Sequence, residues 1–282
     1  MSPIHLLETP ELREATVRLV EQDEKSLSTL LENYYIDGYD RLTLESARSF
    51  SEPVSNLLIK IINQLPGYEI IETTDRRIIV KAVTSIRGDD LIEFVRISSR
   101  TTLELIDKLV KGLRSGADAT ARVAKAILDE AWRQRGNYLR VQRELRKALS
   151  IPPLGLKLEI EDIFDTAYYI VQLSNIYENI YIVAEALTRR LPPPDQAVFA
   201  EAALSKVYDN LKKAISAFLQ RNKEVVYQVL GEIPMIQLWK RQTETIVDVM
   251  KDSVIVQIIL EACGAILAYN VGIAKTALLL KT

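Results

Sequence analysis

A chain of 282 residues, 48% of them hydrophobic, is long enough to bury a core in one large domain or two ordinary ones. Its net charge of −2 leaves no overall field to draw in nucleic acid or an anionic membrane. The single cysteine, Cys263, excludes an intramolecular disulfide and a multi-cysteine metal site, which fits a cytoplasmic protein. The first residues show no basic segment followed by an apolar run, so no signal peptide is expected.

Residues 15–21 (ATVRLVE) alternate and are rich in β-branched side chains, which predicts a strand. A helix follows over 23–37, with Leu27, Leu30, Leu31, Tyr34 and Tyr35 at helical spacing. Asp23 suits its N-cap and Gly38 its C-terminal stop. Residues 41–46 form a second strand. Residues 51–65 form a second helix that ends at Pro66-Gly67. Two further strands, 68–73 and 77–83, flank a short turn and make a hairpin. Strands joined through a helix are most simply parallel, with right-handed crossovers. The expectation over residues 1–87 is a small α/β sandwich with its helices on one sheet face. The joint falls at 85–90 (SIRGDD).

Everything beyond the joint reads as helix: 91–114, 119–149, 158–191, 196–221, 223–251 and 253–280. Breaks at 115–116, 151–155 and Pro192-Pro193-Pro194 separate them, and Asp118 and Asp195 suit the following N-termini. Gly231 and Pro234 predict a kink or interruption in the fifth helix. The third helix carries one apolar stripe of Ile163, Ala167, Ile170, Tyr177, Tyr181 and Ala184, with Ile160, Phe164 and Val171 beside it. An arc that wide needs neighbours on two sides. The last helix is the most apolar. It holds Gln257, Glu261, Asn270 and Lys275 and nowhere reaches ~18 uninterrupted apolar residues, so it reads as a buried helix and not a membrane span. Helix lengths and breaks repeat over 91–191 and 196–280. The fold class expected is α+β: a small N-terminal α/β sandwich, then six long helices over 88–282 as two tandem three-helix bundles.

That architecture resembles the PhoU family of phosphate-uptake regulators. Ile182-Val183-Ala184-Glu185, near the end of the third helix, resembles that family's "NIAE" element. Tyr269 with Ile273-Ala274-Lys275 resembles the matching "Y…IAE" element of the second unit. Tyr138 and Arg143-Glu144-Leu145 resemble the "Y…RQL" tail of archaeal members, which also carry a small α/β unit before the helices. There, Gly38-Tyr39-Asp40 resembles their "GYD" and Gly67-Tyr68-Glu69-Ile70-Ile71-Glu72 their "GLEIVEE". The resemblance covers the chain past Glu14. It implies a PhoU-like fold and a non-enzymatic, cytoplasmic regulator that contacts a phosphate transporter ATPase or sensor protein and forms a homodimer. An exposed sheet edge in the α/β unit would suit that pairing. Archaeal relatives often begin with an AbrB-type DNA-binding segment; only ~14 residues precede the first strand here, fewer than an independent domain needs.

The family also binds iron- or zinc-type clusters through carboxylates four residues apart, a spacing that puts both on one helix face. Aligned here, the pairs fall on Ser174 and Glu178, on Arg133 and Arg135, on Gly264 and Ala268, and on Glu244 and Asp248. The resemblance therefore leaves Glu178, Glu244 and Asp248 as the candidate ligands for a divalent or iron-type metal, as an alternative to a protein with no cofactor. Glu178, between Ile176 and Ile180, reads as partly buried. A second alternative is a nucleic-acid-associated regulator using a basic patch on the second helix, formed by Arg133, Arg140, Arg143 and Lys147. Its plainer reading is a solvated face paired with neighbouring acids.

Catalytic chemistry finds little support. His5 is the lone histidine and lies in the terminal stretch, which disfavours a histidine-dependent triad. Cys263 sits in an apolar helix and reads as a small core residue. Neither G-x-G-x-x-G nor G-x-x-x-x-G-K-S/T occurs. Tyr168, Tyr169, Tyr177 and Tyr181 read as packing residues. Tyr168 and Tyr169 cannot both face inward, so one belongs at an edge.

Overall fold

Alternating residues build a sheet at the start of the chain. The computed structural model describes residues 12–20, 23–83, 88–150, 160–248, 250 and 253–279. His5, part of the joint at 84–87 and the break at 151–155 lie outside them. The strands are β1 (Glu14–Leu19), β2 (Arg41–Ser46), β3 (Tyr68–Thr73) and β4 (Arg77–Ala82), ordered β1-β2-β4-β3. Strand β1 runs parallel to β2, with Val17 opposite Leu44. Strand β4 is antiparallel to both β2 and β3 and lies between them. The crossover from β2 to β3 thus skips one position, and the hairpin return fills it.

Two helices, α1 (Glu24–Ile36) and α2 (Glu52–Asn63), follow β1 and β2. The Asp23 side chain caps α1 by accepting from the Ser26 amide at 3.0 Å. Leu27, Leu31 and Tyr35 of α1 and Leu58, Ile61 and Ile62 of α2 share one core with Val17, Leu42, Leu44, Ile78 and Val80. The strand members are alternate residues, so they project from one sheet face. Each fully buried Leu or Ile stabilises by about 1.5–3 kcal/mol relative to exposure.

Six longer helices complete the chain: α3 (Gly88–Ser115), α4 (Ala117–Ser150), α5 (Ile160–Arg189), α6 (Pro194–Gln220), α7 (Lys223–Asp248) and α8 (Val254–Leu279). The fold is α+β, with long helices after a small four-stranded sheet. The chain divides into two compact units. The first unit comprises the described residues up to Leu91 together with the α4 residues from Leu139 onward. Leu139 joins the core of α1, α2 and the sheet. The second unit holds the remaining helices.

Within the second unit, α8 is an inner helix. Helix α8 packs on α5, α6 and α7, burying Ile255, Val256, Ile259, Leu260, Ile266 and Leu267. By length and composition alone α8 could cross a membrane, but half of its most apolar window is buried inside the protein. Helix α5 buries Ile163, Ile170, Tyr177 and Ala184 as expected. Its second buried stripe is not Phe164 and Val171, which are exposed, but Tyr169, Leu173, Ile176, Ile180, Val183 and Leu187. Position 164 precedes 169 by nearly one and a half turns, so the two lie on opposite faces. Pro193, not Asp195, is the N-cap of α6, and Asp195 sits in the first turn. Helix α7 runs unbroken through Gly231 and Pro234. The side chain of Asn222 caps α7 by accepting from the amides of Glu224 (3.0 Å) and Val225 (3.2 Å).

Candidate functional site

Residues four apart on a helix share a face, and the tail of α4 uses this to aim two cations at one carboxylate. Arg143 donates through Nη2 to Asp40 Oδ1 at 3.0 Å, and Lys147 Nζ donates to the same oxygen at 2.7 Å. The Arg13 amide donates to Asp40 Oδ2 at 3.3 Å. Arg143 Nη1 donates to the Tyr35 carbonyl at 2.8 Å and to Tyr68 Oη at 3.4 Å. Its guanidinium also lies over the Tyr35 and Tyr68 rings, 5.0 and 5.2 Å from their centroids. The two rings meet edge to face, and their hydroxyls donate to the carbonyls of Pro66 and Tyr39. Arg143 is 2% exposed, so every polar group it presents is met inside the protein.

Local backbone chemistry makes room for this cluster. Gly38 closes α1 with φ of +84°, and a Cβ there would stand 2.6 Å from Lys147 Cγ. Only glycine meets both demands. Burial pushes the Tyr35 phenol above the usual tyrosine range, against the pull of Arg143. It pushes Tyr68 up to about 12, again opposed by Arg143. At neutral pH both phenols are therefore donors. The cluster fastens the α4 tail to the α/β unit and holds no nucleophile paired with a base.

The four basic-patch residues of α4 take different places in this geometry. Arg143 and Lys147 are committed to Asp40 inside the first unit, because a buried guanidinium needs a buried anion. Arg133 stands at the surface and pairs with Glu130 at 3.3 Å. Arg140 is half-buried. The four do not form one exposed cationic surface.

The carboxylates are not gathered either. Glu178 is exposed, since its neighbours Ile176 and Ile180 take the buried side of α5. Glu244 accepts from Lys240, one turn earlier on its own helix. Asp248 accepts from Gln257 Nε2 at 2.9 Å. Among the described residues, no group of three or more His, Cys, Asp or Glu side chains could hold a metal ion. A cation needs several converging anions, and Glu178, Glu244 and Asp248 do not supply them. Cys263 is buried, and burial pushes its thiol up to about 12 despite the charge on Lys240. It is a core residue and not a thiolate.

Other polar groups tie the second unit together from within. Thr102 Oγ1 lies 2.7 Å from Tyr138 Oη, and Ser99 Oγ lies 2.6 Å from Tyr169 Oη. Tyr169 stacks on Phe218 with ring centroids 3.9 Å apart, while Tyr168 stays at the surface. Asn210 of α6 donates to the Val229 carbonyl of α7 at 3.3 Å and lies 3.2 Å from the Asn270 amide of α8. A serine, threonine or asparagine inside an apolar stripe was the available sequence signal for these contacts. Its partner, far away in the chain, was not. A cleft of about 590 Å³ opens beyond the C-terminal ends of β1 and β2, lined by Leu19, Leu27, Phe50 and Val54 with Ser46 and Arg48. Most of this lining is the one stretch 46–51 at the end of β2, closed off by residues of β1, α1 and α2.

No family model and no curated protein matches this chain. Among solved structures, the chain is similar to the phosphate transport system regulatory protein PhoU from Streptococcus pneumoniae. The match has a TM-score of 0.55 at 14% identity and covers 67% of this chain and 92% of that one. At that identity the likeness is one of fold.

Proposed function

We propose that this protein is a non-enzymatic regulator of phosphate uptake or phosphate signalling. It acts in the cytoplasm, as a homodimer, through contacts with a phosphate transporter ATPase or its sensor protein. The observation that carries this reading is the fold, which over 67% of this chain is similar to 92% of a phosphate transport system regulatory protein. The side-chain chemistry agrees with it. The candidate cations are bonded internally or paired, the candidate ligands lie apart, and the one thiol is buried. The long helices keep exposed surface, which suits binding to other proteins. The reading needs no cofactor.

Co-elution of the tagged full-length protein with the phosphate transporter ATPase, at high and at low phosphate, tests the proposal. An association whose strength changes with phosphate is expected. Absence of association with both the ATPase and the sensor, at every phosphate level, would refute it.

A further inference from the structure

The exposed side of α5 carries a pattern that is left open among the described residues. Phe164, Tyr168, Val171, Asn175, Glu178 and Ile182 follow one another at spacings of four, three, four, three and four, the repeat of a coiled-coil seam. Glu185 and Arg189 continue it. Phe164 is 58% exposed, Tyr168 50%, Val171 41% and Ile182 47%. The opposite side of the helix is buried to near completion in the second unit. Single exposed apolar residues are ordinary, but four along one seam are a surface with a use.

We propose that a second copy of this chain covers the seam, α5 against α5, antiparallel, with the two-fold axis midway between Asn175 and Glu178. In that register each position meets a suitable partner. The Asn175 amide donates to the carboxylate of the partner's Glu178. Val171 packs on the partner's Ile182. The Tyr168 phenol donates to the partner's Glu185, and Phe164 lies under the guanidinium of the partner's Arg189. The two-fold axis repeats each contact, so the seam matches itself over about 38 Å at ~1.5 Å per residue. A parallel pairing has no such match. It sets Glu178, Glu185 and Arg189 each against its own copy, three like-charge layers that repel. Flanking Ala167, Ser174, Gln172 and Asn179 are small or uncharged, and Asp165 is the one charge beside the seam. Arg189 now pairs with Glu185 at 2.6 Å across one turn of α5 and is 74% exposed, so it can swing onto a ring without leaving a buried site.

This inference rests on the homodimer of the proposed function and not on its phosphate partner; a dimer that ignores the seam variants sinks the inference alone. The test is the mass of the full-length protein by light scattering and sedimentation. Twice 31.9 kDa is expected for the wild type. N175E places two carboxylates beside the axis and is expected to weaken dimerisation about tenfold or more. Adding E178K gives each of them a lysine partner in the antiparallel register alone, so N175E/E178K is expected to dimerise again. I182E, at a half-exposed position, gives an independent disruption of similar size should N175E perturb folding by circular dichroism. A wild type that stays monomeric at ~100 μM overturns the proposal, as does a dimer indifferent to both N175E and I182E. A double variant no tighter than N175E alone also overturns it, because it removes the antiparallel register.

Discussion

Arg143→Met removes the guanidinium at the centre of the first unit while leaving a side chain of similar length. Two strong donations are lost, to Asp40 at 3.0 Å and to the Tyr35 carbonyl at 2.8 Å, together with the stacking on two rings. Removing one member of a buried ion pair costs ~3–5 kcal/mol, because the other is left uncompensated. Asp40 keeps Lys147 at 2.7 Å and the Arg13 amide, so the low end applies, about 3 kcal/mol. The readout has to isolate this unit, since two compact units do not unfold as one two-state system. Amide hydrogen exchange at Leu42, Leu44, Ile78 and Val80, in the central strand pair, does so. At ~1.4 kcal/mol per tenfold, the exchange limited by opening of the unit should accelerate on the order of 100-fold. Arg133→Met breaks only the exposed pair with Glu130 and should change the same amides about twofold or less. An R143M protein within about threefold of wild type, or equal acceleration by R133M, would refute the reasoning that burial makes Arg143 the fastening residue.

Three more outcomes follow from the same contacts. Thr102→Val leaves the fully buried Tyr138 hydroxyl without a partner and should cost about 1–3 kcal/mol in urea unfolding followed by tryptophan fluorescence, since both tryptophans belong to the second unit. T102V/Y138F should recover much of that loss, and an equal or larger loss in the double variant would remove the hydrogen-bond explanation. Tyr35, Tyr68, Tyr138 and Tyr169 all hold their protons more tightly when folded, because burial disfavours the phenolate. Their contribution is therefore complete below the ordinary phenol value of 10.0 and is lost as pH rises above it. In an alkaline titration these phenols should ionise together with the loss of near-ultraviolet dichroism; one smooth titration of all 12 tyrosines with the fold intact would contradict this. The buried Cys263 thiol should resist an aromatic disulfide reagent at pH 8 until denaturant is added, and rapid reaction of the native protein would show that the site opens.

Local signals carried the element list a long way. Strand β2 and the hairpin strands were legible from alternation, α1 from its Asp23 cap and Gly38 stop, and the six long helices from periodicity and proline breaks. These depend on neighbours in the chain: side-chain period, capping hydrogen bonds and the missing proline amide act within a few residues. The parallel pairing of β1 with β2 was also legible, because a helix between two strands returns the chain to the same end of the sheet.

Pairing across the chain was decided elsewhere. Four basic residues on α4 look alike in sequence, yet Arg143 and Lys147 are drawn inside by Asp40 while Arg133 stays at the surface. Nothing within a turn of Arg143 announces an acid a hundred residues earlier, and the low dielectric that makes the pair strong exists only once the core has closed. The arc of α5 shows the same limit. Its apolar residues run nearly all the way round, so periodicity could not say which stripe faces the bundle. Packing against its neighbours settled that in favour of Tyr169, Leu173 and Ile176, and left Phe164, Tyr168 and Val171 on the outside.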